Sequence, residues 1–513
     1  MRLRCARRRL GGVRVKESAW ALAMACLSAS VWAQDTAAGR AVSIVPTLTV
    51  TETLTDNPQL RSTGKAVDSL TQVTAGLRVS GQTGRVQGTM DYALTGYLYA
   101  REQSQNGLRN SLSATGRAEL VEDWLSLDAT ASIAQVAESV FGNQSIDPAL
   151  AQGNRTEVRS YQIGPTARGA IGNLVNYQAT LNHGASRTNS TVARGNSDST
   201  SGSLVFSSRG TSALGWAATL SSRQVDYEGS RSNSTDSASL SINYWATPEL
   251  RVSASAGHEA TNTSTLDKVG SSTWGLGADW SPSERTRLNA QLNHRFFGNS
   301  YQLSFDHRMP RSIFRLTASR DISNPLNQGS GGLGTTYDLL FAQLASTVPD
   351  PVERDLRVRA LLQASGLTPG GVLTPIFLAG AATLQQRFEA SFSLQGVRSN
   401  VALSASTSTS RRLDPLATGV DDLSTGNVNQ RAITLTLGHR LTPVMGVSVD
   451  LSRQDSSSTT TSLFTSLRSV RASLTTTMGP RSTASLSARH VSFASSTAPY
   501  SENALIATFG MRF

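Results

Sequence analysis

The chain has 513 residues, 38% of them hydrophobic and only 6% aromatic. Segments of helical period are nearly absent outside two places, which excludes an ordinary α/β enzyme. No run of about 20 apolar residues occurs, which excludes a transmembrane helix in the mature protein. The formal charge of +11 does not mark a nucleic-acid binder: seven basic residues and Glu17 within positions 1–33 account for six of those charges and leave +5.

Those first 33 positions read as a secretory signal peptide. Arg2, Arg4, Arg7, Arg8, Arg9, Arg14 and Lys16 form a basic region, 19–31 is a short apolar core, and Val31-Trp32-Ala33 fits a cleavage site before Gln34. Both cysteines, Cys5 and Cys26, leave with it. The mature chain then has no disulfide framework and no thiolate metal site, and must gain stability by sheet closure.

After position 42 the sequence alternates apolar and polar residues almost continuously, the period of a strand with two unlike faces. A β-branched run at 42–53 ends in Thr55-Asp56-Asn57-Pro58, a turn signal. Strand pairs follow across Gly81–Gly84, Glu122-Asp123, Gly172-Asn173, Gly210-Thr211 and Ala246-Thr247-Pro248. Trp245 and Trp280 each precede a short polar turn, as an interfacial aromatic girdle requires. The connections between pairs are longer and rich in Ser, Thr, Asn and Gly, for example 137–156, 187–200 and 411–429. Short turns at one end and long loops at the other are the pattern of an outer-membrane barrel. The Gly298-Asn299 connection is short where a long one is due.

The clearest alternation runs through 273–323. Leu288, Ala290, Leu292, His294 and Phe296 fall on one face, and Leu303, Phe305, Phe314 and Leu316 continue it. Leu288, Leu292, Leu303, Phe305, Phe314 and Leu316 are expected to face lipid. The inner face carries Arg287, Arg295, Asp306, Arg308, Arg315 and Asp321, and beyond the next connection Arg387, Glu389 and Arg440. Charges of both signs among Ser, Thr, Asn and Gln make these nine the candidate lining of a hydrated lumen. Helical period returns only at 335–366, broken at Pro349-Asp350-Pro351, so 324–383 is expected to be a helical insertion at the long-loop end, capping or entering the lumen. The chain closes on an alternating strand, 503–513, ending in Phe513. With Phe509 this reads as the signal for the barrel-assembly machinery.

The expected architecture is all-β: a transmembrane antiparallel up-and-down barrel of roughly 22 strands (range 16–22) with one helical insertion. The barrel is divided as 34–323 and 384–513, and both termini lie on the periplasmic side of a Gram-negative outer membrane. No cofactor is implied. A GxGxxG match at 329–334 lacks the parallel βαβ unit that a dinucleotide site needs. Asp56 and Asn57 make a turn rather than a Ca²⁺ site. The six histidines, His183, His258, His294, His307, His439 and His490, fall near strand ends with no HExxH or GxSxG, and read as rim residues at headgroup level.

The segment 45–57, Val-Pro-Thr-Leu-Thr-Val-Thr-Glu-Thr-Leu-Thr-Asp-Asn, together with the Pro349-Asp350-Pro351 break followed by Arg354, the overall length and the terminal Phe513, resembles outer-membrane barrels associated with the PEP-CTERM/exosortase system of exopolysaccharide loci. Leu54 stands where an aromatic residue is expected in that segment. The resemblance implies a non-enzymatic envelope role, with outer-membrane lipid and exopolysaccharide or its export proteins as partners. Two function classes follow: a porin-like conduit or envelope scaffold, and a barrel-embedded enzyme acting on lipid or polysaccharide. A secreted adhesin or β-solenoid would need a fixed repeat period, and the sequence has none.

Overall fold

The computed structural model describes residues 42–513 except 148, 151, 191–195, 211–212, 418–420 and 425, and within 324–376 only Tyr337, Leu340, Phe341, Leu344, Arg354, Asp355 and Val358. Positions 1–33 and the glycine-rich 329–334 lie outside the described residues. The described chain forms one 22-stranded sheet. Its first half comprises β1 (Val42–Thr55), β2 (Asp68–Gln82), β3 (Val86–Tyr99), β4 (Gly107–Val121), β5 (Leu125–Ala137), β6 (Arg155–Ile171), β7 (Val175–Thr188), β8 (Ser197–Ser208), β9 (Leu214–Tyr227), β10 (Ser232–Thr247) and β11 (Leu250–Thr261). Its second half comprises β12 (Val269–Ser283), β13 (Thr286–Arg295), β14 (Gly298–Arg308), β15 (Ser312–Ser323), β16 (Thr383–Gln395), β17 (Ser399–Arg412), β18 (Val428–Arg440), β19 (Met445–Ser458), β20 (Phe464–Thr477), β21 (Ser482–Ser495) and β22 (Tyr500–Arg512).

Every strand pairs antiparallel with its sequence neighbours, and β1 pairs with β22, so the sheet is a closed up-and-down barrel with no free edge. The closing seam is its shortest-registered part for β1: nine residue pairs join β1 to β22, Thr47↔Arg512 to Thr55↔Ala504, against fourteen between β1 and β2. A clasp sits at the long-loop end of the seam. The Thr55 hydroxyl donates to Glu502 Oε1 at 3.0 Å, and Asp56 accepts the Asn503 backbone N–H at 2.8 Å and its side-chain amide at 2.7 Å. Asn57 Nδ2 donates to the Ser501 carbonyl at 2.9 Å and to Arg61 O at 2.7 Å, while Asn57 Oδ1 accepts the Arg61 N–H at 2.9 Å. This capped turn holds Leu60 at φ 53°, a left-handed value uncommon for leucine, and buries its side chain. At the other end of the seam, the Phe513 N–H donates to Pro46 O at 3.0 Å.

The outward face has two zones. On β10, Ala238, Leu240, Ile242 and Tyr244 run toward the short turn, while Asp236 lies on the long-loop side. On β9, Leu214, Trp216, Ala218 and Leu220 are followed by Ser222, Gln224 and Asp226. On β22, Leu505, Ala507, Phe509 and Met511 are preceded by Asn503. Leu220, Leu240, Ile242, Leu276 and Phe509 are all exposed, as lipid-facing residues of a barrel are. Four alternate residues span about 20 Å of strand, or roughly 15 Å of height at a 40° tilt, more than half of the ~25 Å apolar band of a transmembrane barrel. The membrane therefore encircles the half nearer the short turns, and a polar collar rises above it. Leu288, Leu292, Leu303, Phe305, Phe314 and Leu316 lie on this outward face, in register with one another across β13–β15.

Two local expectations are corrected. Strand β13 ends at Arg295, so the turn to β14 is Phe296-Phe297, edge-to-face at 5.2 Å, and Gly298-Asn299 already belongs to β14. Trp280 faces outward, but Tyr244 takes the corresponding girdle position on β10. The regular alternation of β10 turns Trp245 inward, opposite Arg251, whose guanidinium covers its ring at 5.5 Å.

The clasp is directly testable. Asn57→Ala removes three hydrogen bonds from a fully buried side chain, worth about 2–3 kcal/mol at ~1 kcal/mol each, and should lower the temperature at which the folded band on a denaturing gel converts to the unfolded one. An unchanged conversion temperature would rule out a role for Asn57 in holding the seam.

Candidate functional site

Inward positions along the wall are dominated by hydroxyls and amides: Ser404, Ser406, Ser408 and Ser410 on β17, and Gln291 and Asn289 on β13. Set among them are Arg–Asp pairs between directly opposed residues of neighbouring strands. Arg78 and Asp91 lie 2.5 Å apart, Arg117 and Asp128 3.8 Å, Arg251 and Asp279 2.6 Å, and Arg315 and Asp306 2.6 Å. Such pairs satisfy one another across the ladder while leaving a polar lumen surface.

The nine sequence candidates all have inward parity, but the structure splits them. Arg295 joins a network near the long-loop end, donating to both oxygens of buried Glu259 and, at 2.9 Å, to Asp321. Arg387 and Glu389 lie 3.5 Å apart on β16. Asp306 and Arg315 form the lower pair described above, with Arg287 opposite Asp306 and Arg308 one inward step from it. Arg440 stands at the short-turn rim, where Nη2 donates to Val397 O at 2.9 Å. Sequence reasoning passed over Glu259, Arg78, Asp91, Arg117, Asp128, Arg251 and Asp279, although the same alternation assigns every one of them inward.

What narrows the lumen is the connection 138–154 between β5 and β6, which turns inward. Ala149, Leu150 and Ile146 pack against Leu70, Tyr97 and Tyr99 of β2–β3 and against Leu467, Val491, Phe493 and Tyr500 of β20–β22. Around this apolar contact the segment's carbonyls are claimed by wall side chains. The Tyr99 hydroxyl donates to Ala149 O at 2.7 Å, Thr465 to Val140 O at 3.1 Å, Arg155 to Ser145 O at 3.0 Å, and Tyr500 to Gln144 O. Gln454 donates to the Gln144 side chain at 2.9 Å. The central anchor is ionic. Arg489 of β21, only 3% exposed, reaches Asp147 of the segment at 3.3 Å and Glu502 of β22 at 2.7 Å.

The mouth-side half of the segment meets two other loops. Val140 and Phe141 share a buried cluster with Phe377 and Ala379, the end of the long insertion, with Leu423 of the β17–β18 loop and with Val428 at the start of β18. The Asp422 carboxylate accepts the Ser139 hydroxyl and the Val140 N–H, both at 2.7 Å. Burial pushes the Asp422 carboxyl above the usual carboxylate range, with neighbouring Asp421 adding to the rise against those two hydrogen bonds. Asp421 in turn binds Arg412 at 2.5 Å and the Gly380 N–H at 2.9 Å.

Sequence reasoning expected the insertion 324–383 to cap or enter the lumen, and most of that insertion lies outside the described residues. In the structure the described lumen obstruction belongs to 138–154, and only the insertion's end, 377–382, is seen to join it. Of the insertion's helical part, Leu340 and Val358 pack together with Tyr337, Phe341 and Leu344. The signal for the 138–154 obstruction was present on both sides of the contact. Val140, Phe141, Ile146 and Leu150 are apolar in an otherwise polar loop, and Leu70, Tyr97, Leu467, Val491 and Phe493 occupy inward positions that a water-filled lumen would keep polar.

All six histidines are on the outward face. His183, His294 and His490 hydrogen-bond Thr200, Asn299 and Asn503 across strands in the collar, and His307 and His439 bond Thr286 and Ser399 beside the short turns. No imidazole faces the lumen among the described residues, nor do three or more His, Asp or Glu side chains gather there as a metal site would require.

No protein-family model matches the sequence, and no curated protein sequence does. Solved structures do match in backbone. The siderophore receptor PirA from Pseudomonas aeruginosa aligns over 93% of this chain and 81% of its own, with 9% identity and a TM-score of 0.43. The FrpB iron transporter from Neisseria meningitidis (F5-1 variant) aligns over 91% and 82%, with 11% identity and a TM-score of 0.46. OccK8 (OprE) from Pseudomonas aeruginosa aligns over 92% and 98%, with 11% identity and a TM-score of 0.33.

Proposed function

We propose that the chain is a non-enzymatic outer-membrane conduit for a polar, carbohydrate-like cargo, gated by the inward segment 138–154. Its short turns and both termini face the periplasm, its long loops the exterior. We further assign it to exopolysaccharide export or PEP-CTERM/exosortase-linked surface sorting, as a porin-like passage or envelope scaffold. The observation that carries the conduit reading is the segment itself, pinned across a hydroxyl-rich lumen by one buried arginine and a handful of carbonyl contacts. Serine, threonine and amide side chains exchange hydrogen bonds readily with sugar hydroxyls, and the cross-strand ion pairs keep the wall charged yet nearly neutral. The exopolysaccharide assignment draws on the 45–57 segment, whose Thr55, Asp56 and Asn57 have a definite task at the seam. Phe509, on the outward face of the last strand, and Phe513 beside it are the positions at which the assembly machinery would read the chain.

Planar-bilayer recording tests the conduit. The wild-type barrel should conduct weakly, and Arg489→Gln should raise conductance several-fold. Removing one partner from a buried ionic set costs about 3–5 kcal/mol, here by leaving Asp147 and Glu502 facing each other. Limited proteolysis should then cut the variant within 138–154 and spare the wild type. Equal conductance and equal protection in the two proteins would refute gating by this segment.

The Asp422 contact adds a pH dependence whose sign is fixed. A carboxyl raised on docking stabilises the docked state fully below the ordinary carboxylate value of about 4, and that contribution is lost as pH rises through the raised value. Conductance should therefore climb from acid toward neutral pH, and Asp422→Asn should flatten the climb. A wild-type conductance independent of pH between 4 and 7 would exclude this coupling.

A further inference from the structure

Several charges of the outward collar are paired with one another. Arg187 is paired with Asp198 at 2.7 Å, Arg159 with Glu157 at 2.7 Å, and Lys268 with Asp236 at 2.5 Å. On β18–β20 the cations outnumber the carboxylates. On the outward face of β18–β20, Arg431 lies opposite Asp455, and Arg453 lies opposite Arg468. Arg453 is engaged with Asp455 on its own strand at 2.9 Å. Three guanidinium groups against one carboxylate leave this sector at +2. Arginine placed directly across a ladder from arginine is unfavourable unless an anion bridges them. No carboxylate of the described residues comes within ion-pair distance of Arg468.

Two of these arginines line a groove of about 450 Å³ on the outer wall. Arg453, Asp455, Phe464, Ser466, Arg468 and Ser492 form it, and Ser492 is the residue opposite Arg468 on β21. Its height is informative. One outward step below Arg453 and Arg468 are Leu451 and Val470, themselves opposite each other, and Val449, Ala472 and Leu474 continue the apolar belt beneath. The cationic groove is thus seated at the upper edge of the membrane belt, with guanidinium forks and hydroxyl donors above a greasy wall. That combination fits a molecule with a multiply charged phosphate head and acyl chains extending downward. Guanidinium groups bind phosphate oxygens in a bidentate manner, and two facing arginines suit a dianion better than the single charge of a phosphodiester.

We propose that this groove is a binding site for a lipid whose headgroup carries phosphate monoesters, held by Arg453 and Arg468 with Ser492 and Ser466 as hydroxyl donors, and by Leu451 and Val470 along its chains. The site rests on the position of the membrane belt and not on transport through the lumen, so conductance and lipid binding test separate ideas.

The full-length barrel in neutral nanodiscs should be titrated with lipid A, a disaccharide lipid bearing two phosphate monoesters, and with enzymatically dephosphorylated lipid A. The wild type should prefer the phosphorylated form by at least tenfold. Arg453→Gln/Arg468→Gln should abolish that preference while keeping heat-modifiable migration and wild-type conductance. Arg468→Lys, which keeps the charge and is the milder change should the double variant not fold, should lose only part of it. Inorganic phosphate at millimolar concentration should not displace the lipid. Equal binding of the two lipids, an undiminished preference in the folded double variant, an Arg468→Gln single variant that binds like wild type, or complete displacement by inorganic phosphate would each overturn the proposal.

Discussion

A sheet with no edge is the constraint on which everything else in this protein depends. Backbone groups facing lipid have no water to bind, so every N–H and C=O in the belt must find a partner on a neighbouring strand. Twenty-one of the pairings join strands adjacent in sequence; the last must join residues 449 to 465 positions apart. That pairing is also the one with the greatest loop-closure cost. The clasp made by Thr55, Asp56 and Asn57 on Ser501, Glu502 and Asn503 is placed at this weakest join. Glu502 serves twice, accepting Thr55 from the first strand and Arg489 from the inward segment's anchor, so closure of the wall and seating of the segment share one carboxylate.

The inner wall has two chemistries at two heights. In the membrane-encircled half it is polar and internally paired, suited to water and hydroxyl-rich solutes. In the collar half, on β2–β3 and β20–β22, it turns apolar because it is packed against protein and not against water. A loop that enters a lumen must bury its backbone, and the tyrosine hydroxyls and Arg155 meet that need carbonyl by carbonyl.

Architecture was legible because it is written in a local, repeated signal. Period-two alternation, turn chemistry and loop asymmetry yield the barrel and assign the lipid face of Leu288 through Leu316 without any long-range information. The obstruction was less legible for a physical reason: whether a loop leaves the barrel or enters it depends on matching two distant surfaces. The sequence around Val140 and Leu150 looks like a decorated loop until Leu467, Val491 and Phe493 are recognised as inward. Trp245 illustrates a finer limit, since the alternation that turns Ile242 and Tyr244 outward carries on unbroken to Trp245 and turns it inward, whatever its place beside the turn suggests. The ion pairs fall between these cases. Each partner's face follows from alternation, but the choice of partner, as for Arg295 with Glu259 two strands away, follows only from the folded wall.

The offset of the apolar belt toward the short turns separates the two mechanical parts of the molecule. Lipid pressure bears on one ring of the barrel, while the contacts that seat the inward segment, from Leu70 to Arg489 and Tyr500, lie in the ring that stands clear of the bilayer. The obstruction is thus a structure of the water-exposed rim, reachable by large molecules that never enter the membrane. A force applied to the collar would bear on the seating of the inward segment through that upper ring alone, leaving the embedded wall and its hydrogen-bonded circuit untouched.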